Sequence, residues 1–229
     1  MSERNLSNIA ICQDLSQEEV ERLSKRCHWA TYHTHDMIID YDDDLAGVYF
    51  IVKGAVRVVI RTEGFKEIVL TELREGDVFG EMAAIDGDLR SANVMATEDT
   101  LLGVIGFPAF CDALSDYPAL SLSVMRLLTG RLRATNQRMA EYTFLDAKNR
   151  LYNELLKLSR PRKNTEGERI VSPPPVQKEL ADRIGCRREV ISRELARLKK
   201  EEIADQQRGG LVIMRPDILS KRVSEAWRK

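Results

Sequence analysis

A chain of 229 residues is long enough for one to two domains at the usual ~150 residues per domain, and 43% hydrophobic residues exclude an intrinsically disordered protein. The 35 Lys and Arg against 36 Asp and Glu leave a net charge of -1, but this near-neutrality is a cancellation. Residues 1–146 carry 14 basic and 24 acidic side chains, whereas residues 147–229 carry 21 basic and 12 acidic ones. A basic C-terminal third predicts contact with a polyanion, with nucleic acid as the first candidate.

The cysteines and the N-terminus exclude further classes of protein. No two cysteines have C-x-x-C spacing, and none clusters with the three histidines, so we expect no metal site. Cys12, Cys27 and Cys111 are expected to be buried or half-buried small hydrophobic side chains. The first residues lack a signal peptide, and no stretch reaches the ~18 apolar residues of a membrane span. We therefore expect a soluble, cytoplasmic protein with reduced cysteines and no membrane partner.

The N-terminal half is predicted to be rich in β-strands. A short helix over Ser16 to Cys27 comes first, and its Ser16 and Glu19 have the spacing of a capping box. Hydrophobic runs separated by turn residues then predict strands at Met37–Asp40, Val48–Val52, Ala55–Arg61, Glu67–Leu73, Ala92–Ala96 and Thr100–Ile105. Regularly spaced glycines between these runs predict an antiparallel barrel or jelly roll that ends near residue 107.

The pattern becomes helical at Pro118 for about forty residues. Its apolar positions follow one another at spacings of three and four, which is a heptad seam. The seam consists of Met125, Leu128, Leu132, Thr135, Met139 and Tyr142. A stripe of about 26 Å, at ~1.5 Å per residue, suits a two-fold coiled-coil dimer. The alternative is that the stripe packs on the barrel of its own chain, but Thr135 in the seam and Asn136 beside it are polar residues that are uncommon in the core of a monomer.

The C-terminal third has the element order of a winged helix-turn-helix. Two short helices are predicted at Val176–Ile184 and Arg187–Lys199, and Gly185 provides the tight turn between them. A glycine pair and a strand at Leu211–Met214 then form the wing. Since this motif places its second helix in the major groove of DNA, the basic charge of the region has a specific structural explanation.

The second helix of this motif has a polar, basic face. Arg188, Glu189 and Arg193 lie near its N-terminus on one side, where side chains reach base edges. Arginine can bond guanine bidentately and glutamate can accept from cytosine N4, so these three residues predict direct reading of G·C pairs. The alternative is a solvated face with pairs such as Glu189–Arg193. The whole face comprises Arg187, Arg188, Glu189, Ser192, Arg193 and Arg197.

A second motif, GDVFGEMAAIDGDLRSA at residues 76–92, has the residue types of an anion site. Gly80 lets backbone N–H groups approach a ligand closely, and the short apolar stretch after it can present a helix N-terminus. Arg90 can hold a phosphate with its planar fork, Ser91 can donate beside it, and Glu81 can accept from a sugar hydroxyl. The alternative is a loop with an Arg–Glu salt bridge.

The segment FGEMAAIDGDLRSA resembles the phosphate-binding cassette of cyclic-nucleotide-binding domains, and most of the chain resembles the cyclic AMP receptor protein / fumarate–nitrate regulator (Crp/Fnr) superfamily. The resemblance rests on the cassette at 79–92, the Phe144–Asp146 hinge and the recognition-helix segment Cys186–Arg193. It implies an α+β fold with a cyclic-nucleotide-binding β-barrel (jelly roll) at 1–117, a dimerisation helix at 118–145 and a winged helix-turn-helix DNA-binding domain at 146–229.

The resemblance also implies the ligand and its contacts. The expected ligand is cyclic AMP, with cyclic GMP as the alternative, and it acts as an allosteric effector of a protein that is not an enzyme. Arg90 and Ser91 would contact the cyclic phosphate, and Gly80 and Glu81 the side of the ribose that carries the 2′-hydroxyl. Cassette backbone would come from Met82 and Ala83.

The purine would meet the long helix at two positions. By the same resemblance these are Thr135 and, from the partner subunit, Asn136, so that the ligand would lie at the dimer interface. In the branch of the family that responds to cyclic AMP the second position is commonly serine. An asparagine amide offers both a donor and an acceptor, which leaves the choice between adenine and guanine open.

The implied partners are double-stranded DNA, a second copy of the chain and RNA polymerase. Val176 stands where the family often has a hydroxyl residue, so phosphate anchoring would fall to Gln177 and Lys178. Base-reading and neighbouring contacts would come from Arg187, Arg188, Glu189, Ser192 and Arg193. Two alternatives remain: a regulator of this family that needs no ligand, and a nucleotide-sensing regulatory subunit that binds protein through its C-terminal part.

Overall fold

The protein is described by a computed structural model over residues 4–41, 47–61, 67–163 and 165–228. The chain divides into two compact units, one formed by residues 1–132 and the other by residues 133–229. The division falls within one long helix. The predicted α+β organisation is confirmed, because strands dominate the first unit and a winged helix-turn-helix forms much of the second.

The first unit combines eight described strands with short helices and one long helix. A 3-10 turn at Ala10–Cys12 precedes them. In chain order they are α1 (Gln17–Lys25), β1 (His28–Tyr32), β2 (Met37–Ile39), β3 (Gly47–Lys53), β4 (Ala55–Arg61), β5 (Glu67–Arg74), β6 (Val78–Phe79), α2 (Glu81–Asp86), β7 (Asn93–Ala96), β8 (Thr100–Gly106), α3 (Phe107–Asp116) and α4 (Pro118–Phe144), which extends into the second unit.

The strands pair antiparallel in two four-stranded sheets, of order β1-β8-β3-β6 and β2-β7-β4-β5. No backbone ladder joins the two sheets among the described strands, but the Thr100 hydroxyl of β8 donates to the Ala55 carbonyl oxygen of β4 over 3.2 Å. The predicted roll consists of two facing sheets. A core drawn from both sheets includes Ile39, Val56 and Leu102. The two sheets therefore face each other across an apolar layer.

Strand β3 is buried on both faces, and its residues serve two different cores. Successive side chains of a strand point to opposite sides. Tyr49 and Ile51 accordingly join the core drawn from both sheets, whereas Val48 and Phe50 join a second core with residues from α1, α3 and α4. All four side chains are almost completely buried. The strand thus forms a wall that the two cores share.

The predicted capping box of α1 is confirmed. The backbone N–H of Glu19 donates to the Ser16 hydroxyl over 3.3 Å, and the Ser16 N–H donates to the Glu19 carboxylate over 2.8 Å. These bonds satisfy two of the backbone groups that a helix start leaves open. The first turn therefore begins one residue after Ser16, and Val20 and Leu23 face the core.

The second unit contains the winged helix-turn-helix that the sequence predicts. Its elements are α5 (Ala147–Leu158), β9 (Arg160–Pro161), β10 (Arg169–Val171), α6 (Gln177–Ile184), α7 (Arg188–Lys200), β11 (Ala204–Gln207), β12 (Gly210–Ile213) and α8 (Pro216–Ala226). Helices α6 and α7 each begin one residue later than expected, because Val176 and Arg187 have extended backbones and precede the first turn. One apolar core gathers residues from helices α5 to α8 and from the small sheet β11-β12-β10-β9.

Several elements were not predicted from the sequence: β1, β6, β9, β10, β11, α3 and α8. Strand β1 lies at the edge of its sheet and leaves its side chains exposed or half-exposed, so it lacks a clear hydrophobic alternation. Strands β6 and β9 have only two residues each. Within the described parts of the chain, no helix is both long and apolar enough to cross a membrane.

Candidate ligand site and nucleic-acid interface

Gly80 forms the turn between strand β6 and helix α2, and only glycine fits there. Its φ of 79° lies in the left-handed region, where other residues are strained. A Cβ at this position would lie 2.8 Å from the Gly47 carbonyl oxygen and 2.9 Å from Nη1 of Arg90. The glycine therefore allows the backbone of the turn to approach the Arg90 side chain.

Arg90 is a buried cation next to this turn, with only 6% of its surface exposed. Its guanidinium donates to the carbonyl oxygens of Gly47 over 3.1 Å and Gly80 over 3.4 Å. It also lies 5.0 Å from the ring centre of Phe107 and 5.8 Å from that of Tyr49. A buried arginine held by backbone and aromatic rings keeps its charge and its planar fork oriented, as recognition of a phosphate requires.

Glu81 is the second buried ionic group of the cassette, with 1% of its surface exposed. Its Oε1 forms an ion pair with Nη1 of Arg131 on α4, whose Nη2 donates to the carbonyl oxygen of Val78 over 2.6 Å. The other carboxylate oxygen, Oε2, is buried without a hydrogen-bond partner in the described part of the chain. Because an orphaned buried acceptor is costly, this oxygen suits a donor supplied by a ligand, such as a sugar hydroxyl.

Arg131 is a site residue that the sequence reasoning missed. It lies one turn before Thr135 on the same helix, and that spacing is the signal that could have found it. Its partner Glu81 is 50 residues away in sequence, so only the fold shows the pair. The ion pair of Glu81 is thus made with an arginine of α4, outside the loop in which the alternative placed an Arg–Glu salt bridge, and the Arg90 guanidinium faces the turn at Gly80.

The other predicted ligand residues occupy different environments. Ser91 is exposed directly after Arg90, and in α2 Met82 is exposed whereas Ala83 is buried. Thr135 and Asn136 are exposed on the part of α4 that belongs to the second unit. The structure therefore brings Gly80, Arg90 and, through α2, Glu81 together, while the contacts of Thr135 and Asn136 with a purine remain predictions.

The helix-turn-helix has the local geometry that its spacing predicts. Gly185 ends α6 with a φ of 63°, and a Cβ there would lie 3.0 Å from the ring of Tyr142. Ala181 is small and buried where α6 faces α7, and Ile191 is completely buried. The N–H of Cys186 donates to the Ala181 carbonyl oxygen over 3.0 Å and continues the capping of α6.

The predicted reading face of α7 is open to solvent. Arg187, Arg188, Glu189, Ser192 and Arg193 are all exposed. The ion pairs among the described residues include none between Glu189 and Arg193, so the alternative of a solvated face joined by that pair gains no support. On α6, Lys178 is exposed and Gln177 half-exposed at the first turn, where a DNA phosphate would approach.

Comparison with known families matches both halves of the chain. Residues 29–117 match the cyclic nucleotide-binding domain, and residues 149–222 match the Crp-like helix-turn-helix domain. The matched cyclic nucleotide-binding domain precedes the matched helix-turn-helix domain, just as the strand-rich unit precedes the winged helix-turn-helix in the structure. The chain belongs to the Crp/Fnr family. Crp/Fnr proteins are DNA-binding transcription regulators rather than enzymes, which agrees with the predicted class and removes the regulatory-subunit alternative.

Three Crp/Fnr relatives illustrate the range of similarity. The cAMP-activated global transcriptional regulator CRP of Pasteurella multocida is 27% identical over 190 residues, which cover 80% of this chain and 88% of the relative. The Thermus thermophilus catabolite activator protein is 26% identical with a TM-score of 0.55, covering 95% and 99% of the two chains. The c-di-GMP responsive global regulator CLP of Xanthomonas campestris is 22% identical with a TM-score of 0.74, covering 86% and 99%.

Arg197 differs from the other arginines of the Crp/Fnr recognition helix in this chain. From the sequence, Arg197 was predicted to belong to the polar reading face of α7. In the structure its guanidinium pairs with Glu194 over 2.6 Å and lies 3.6 Å from Glu201. It also donates to the hydroxyl of Tyr152. At ~100° per residue, position 197 lies about 180° from position 188 and about 80° from position 189, at the edge of the reading face. Although its side chain is 42% exposed, its guanidinium contacts Glu194, Glu201 and Tyr152 within the unit.

The cysteines of this Crp/Fnr chain fall into two environments. Burial raises the pKa of Cys12 to about 12, with a further contribution from Cys27, and burial likewise raises the pKa of Cys27 to about 12. The expectation for Cys111 was wrong, because α3 buries the neighbouring Phe110 and turns Cys111 toward solvent. The described residues include no group of three or more His, Cys, Asp or Glu side chains that could hold a metal ion.

Alkylation at pH 8 is expected to modify Cys111 and to leave Cys12 and Cys27 unmodified. A thiol with a pKa near 12 is a thiolate in only about 10⁻⁴ of molecules at pH 8, and the thiolate is the reactive form. Treatment of the folded chain with iodoacetamide followed by peptide mass spectrometry measures this. Unfolded protein, in which all the thiols react, is the control, and equal labelling of Cys12 and Cys111 in the folded chain would contradict the expectation.

Proposed function

We propose that the chain is a homodimeric transcriptional regulator whose binding to palindromic DNA is controlled by a cyclic nucleotide, with cyclic AMP as the first candidate. The observation that carries the proposal is the cassette, where buried Arg90 faces the Gly80 turn and one carboxylate oxygen of Glu81 has no partner among the described residues. A cyclic phosphate supplies the anion for Arg90, and a ribose supplies the hydroxyl for Glu81. The cAMP-activated regulator of P. multocida among the relatives supports adenine as the base.

Two other cyclic nucleotides are alternative candidates for the ligand in this proposal. Cyclic GMP has the same ribose and cyclic phosphate, and the amide of Asn136 can pair with either purine. The X. campestris relative is described as c-di-GMP responsive, so a dinucleotide is the third candidate. The buried Arg90 accounts for an anion in each case, and all three ligands carry a free ribose 2′-hydroxyl that Glu81 can accept from, so a direct titration has to distinguish them.

The exposed stripe of α4 supports the dimer. Met125, Leu132 and Met139 are 57%, 62% and 67% exposed, and they repeat at seven-residue intervals. A large apolar stripe left in water is unfavourable, and a second copy of the helix buries it with the same spacing. A dimer of this kind places two recognition helices about 34 Å apart on one side of the duplex.

The ligand needs only to bind the DNA-competent form of the dimer better than the other form. A hundredfold preference shifts the equilibrium by about 2.7 kcal/mol per site, and two sites approximately double that. RNA polymerase is the partner that we propose for the regulator once it is bound to DNA, as its resemblance to the family implies.

Calorimetric titration of the full chain tests the ligand. We would titrate it with cyclic AMP, cyclic GMP and c-di-GMP, alone and with a duplex that the chain has selected from a random library. The expected result is binding of cyclic AMP that the duplex strengthens, because linkage between two ligands is reciprocal. Duplex binding that no nucleotide alters would support the alternative without a ligand, and an absence of any nucleotide binding would overturn the cassette assignment.

Replacement of Glu189 is expected to relax base preference, whereas replacement of Lys178 is expected to weaken binding to all sequences alike. A Glu189→Ala change removes an acceptor for cytosine N4 and is expected to cost about 1–3 kcal/mol of discrimination at one base position. Lys178→Ala removes a phosphate contact and is expected to lower the salt dependence of binding. Competition between the selected duplex and a scrambled duplex measures both, and equal losses on the two duplexes for Glu189→Ala would contradict base reading.

A further inference from the structure

The recognition helix α7 carries a polar network on the side that faces away from the predicted DNA surface. Its centre is Tyr152 of α5, which is 1% exposed and donates its hydroxyl to Glu194 of α7. Arg197 donates to the same hydroxyl and pairs with Glu194 over 2.6 Å. The recognition helix is therefore tied to α5 by directional bonds within the core.

The network extends to the C-terminal helix α8. Arg222 pairs with Glu201, just past the end of α7, over 2.6 Å, and its guanidinium lies 5.8 Å from the ring centre of Tyr152. Arg197 also approaches Glu201, at 3.6 Å. Burial, together with the hydrogen bond to Glu194, raises the pKa of Tyr152 to about 12, so the phenol keeps its proton at physiological pH. The hydroxyl proton is thus always present to donate to Glu194.

The network holds α7 on the side opposite to the predicted DNA-reading face. At ~100° per residue, Glu194 lies about 170° around the axis from the centre of the face formed by Arg188, Glu189, Ser192 and Arg193. The apolar contacts of Ile191 and Leu198 are not directional and tolerate a small roll of the helix. A roll of about 15° moves a side chain ~6 Å from the axis by about 1.5 Å, which is enough to break a base contact.

We infer that Tyr152 is a positioning residue for base recognition, since its bonds to Glu194 and Arg197 fix the rotation of the recognition helix about its own axis. The inference rests on the proposed DNA-binding function and adds specificity-determining residues that touch no base. It explains why a charged residue, Glu194, is buried in the middle of a helix whose other side is open to solvent. Hydrogen bonds that must all be satisfied select one orientation, whereas apolar packing alone accepts several.

The test uses the full chain and a duplex that it selects from a random library. Tyr152→Phe removes the hydroxyl but keeps the buried ring. We expect the ratio of affinities for the selected and scrambled duplexes to fall at least tenfold, while affinity for the scrambled duplex changes less than twofold. A second selection with this variant is expected to return a broader set of sequences.

Two further variants separate positioning from stability. Glu194→Gln keeps an acceptor for the tyrosine hydroxyl and is expected to retain most of the discrimination, whereas Glu194→Ala is expected to lose it. Leu155→Val shortens a buried side chain of α5 outside the network; it is expected to lower the melting temperature and leave discrimination unchanged.

An unchanged affinity ratio in Tyr152→Phe would overturn the inference, and so would an equal fall in Leu155→Val. If the wild-type chain selects no sequence at all, the proposed function itself fails. That result differs from one in which the wild type is selective and Tyr152→Phe is equally selective.

Discussion

An Arg90→Ala variant is expected to bind cyclic AMP at least about a hundredfold more weakly than the wild type and to lose ligand-dependent DNA binding. The physical reason is that Arg90 is the buried cation of the cassette, and its fork is already oriented by the carbonyl oxygens of Gly47 and Gly80. Hydrogen bonds between charged groups contribute about 1.5–3 kcal/mol each, and a cyclic phosphate offers oxygens for two of them. Titration calorimetry of the two proteins measures the loss.

Matched variants make this prediction specific. Arg22→Ala removes an arginine that is exposed on α1 and pairs only with Glu18 among the described residues, so it is expected to leave ligand affinity unchanged. Arg90→Lys keeps the charge but not the fork, and an intermediate affinity is expected. Melting curves of all three variants show whether the fold survives. An Arg90→Ala protein that melts normally and binds cyclic AMP with wild-type affinity would refute the assignment of the cassette.

An Arg131→Ala variant is expected to lower the free energy of unfolding by about 2–3 kcal/mol. Glu81 would keep its buried position but lose its ion pair, and its second carboxylate oxygen already lacks a partner in the described part of the chain. The expected loss lies at the low end for breaking a buried pair, because Arg131 is one-third exposed. Urea unfolding of the full chain without ligand measures the change.

A double-mutant cycle identifies the cause of that loss. Glu81→Gln replaces the buried carboxylate with a neutral amide, so removal of Arg131 no longer leaves a buried charge without its partner. In the Glu81→Gln background, Arg131→Ala is therefore expected to lower the free energy of unfolding by less than about 1 kcal/mol. Arg126→Ala serves as the control, since Arg126 lies on the same helix and pairs with exposed Asp14 over 3.0 Å. If Arg131→Ala were equally costly in the wild-type chain and in the Glu81→Gln variant, the ion pair would not be the source of the stability.

The elements that could be predicted from the sequence are those whose defining residues lie close together in the chain. The capping box of α1, strands such as β4 and the α6–turn–α7 motif were predictable because their residues lie close together in the chain. Helix α8 also has a local signal, with Pro216 at its start and Leu219 and Val223 buried one turn apart, which the sequence reasoning did not use.

The parts of the sites that were missed depend on distant residues. No local pattern predicts that Glu81 pairs with Arg131, or that Arg197 turns toward Tyr152, because each pair joins different elements. The cassette was recognisable from its residue types, but the orphaned oxygen of Glu81 became visible only once its neighbours in space were known. Such contacts are set by tertiary packing, which outweighs any preference within a short segment.

The shared wall formed by β3 has a consequence for insertions and deletions. Because Val48 and Phe50 face one core and Tyr49 and Ile51 face the other, removal of a single residue inside this strand would exchange the side chains supplied to the two cores. Tyr49 would also leave its stacked position on Phe79 and its place near Arg90. A change of length of one residue here would therefore disturb the packing of the whole unit and the ligand site at the same time, whereas a conservative substitution would affect only one side.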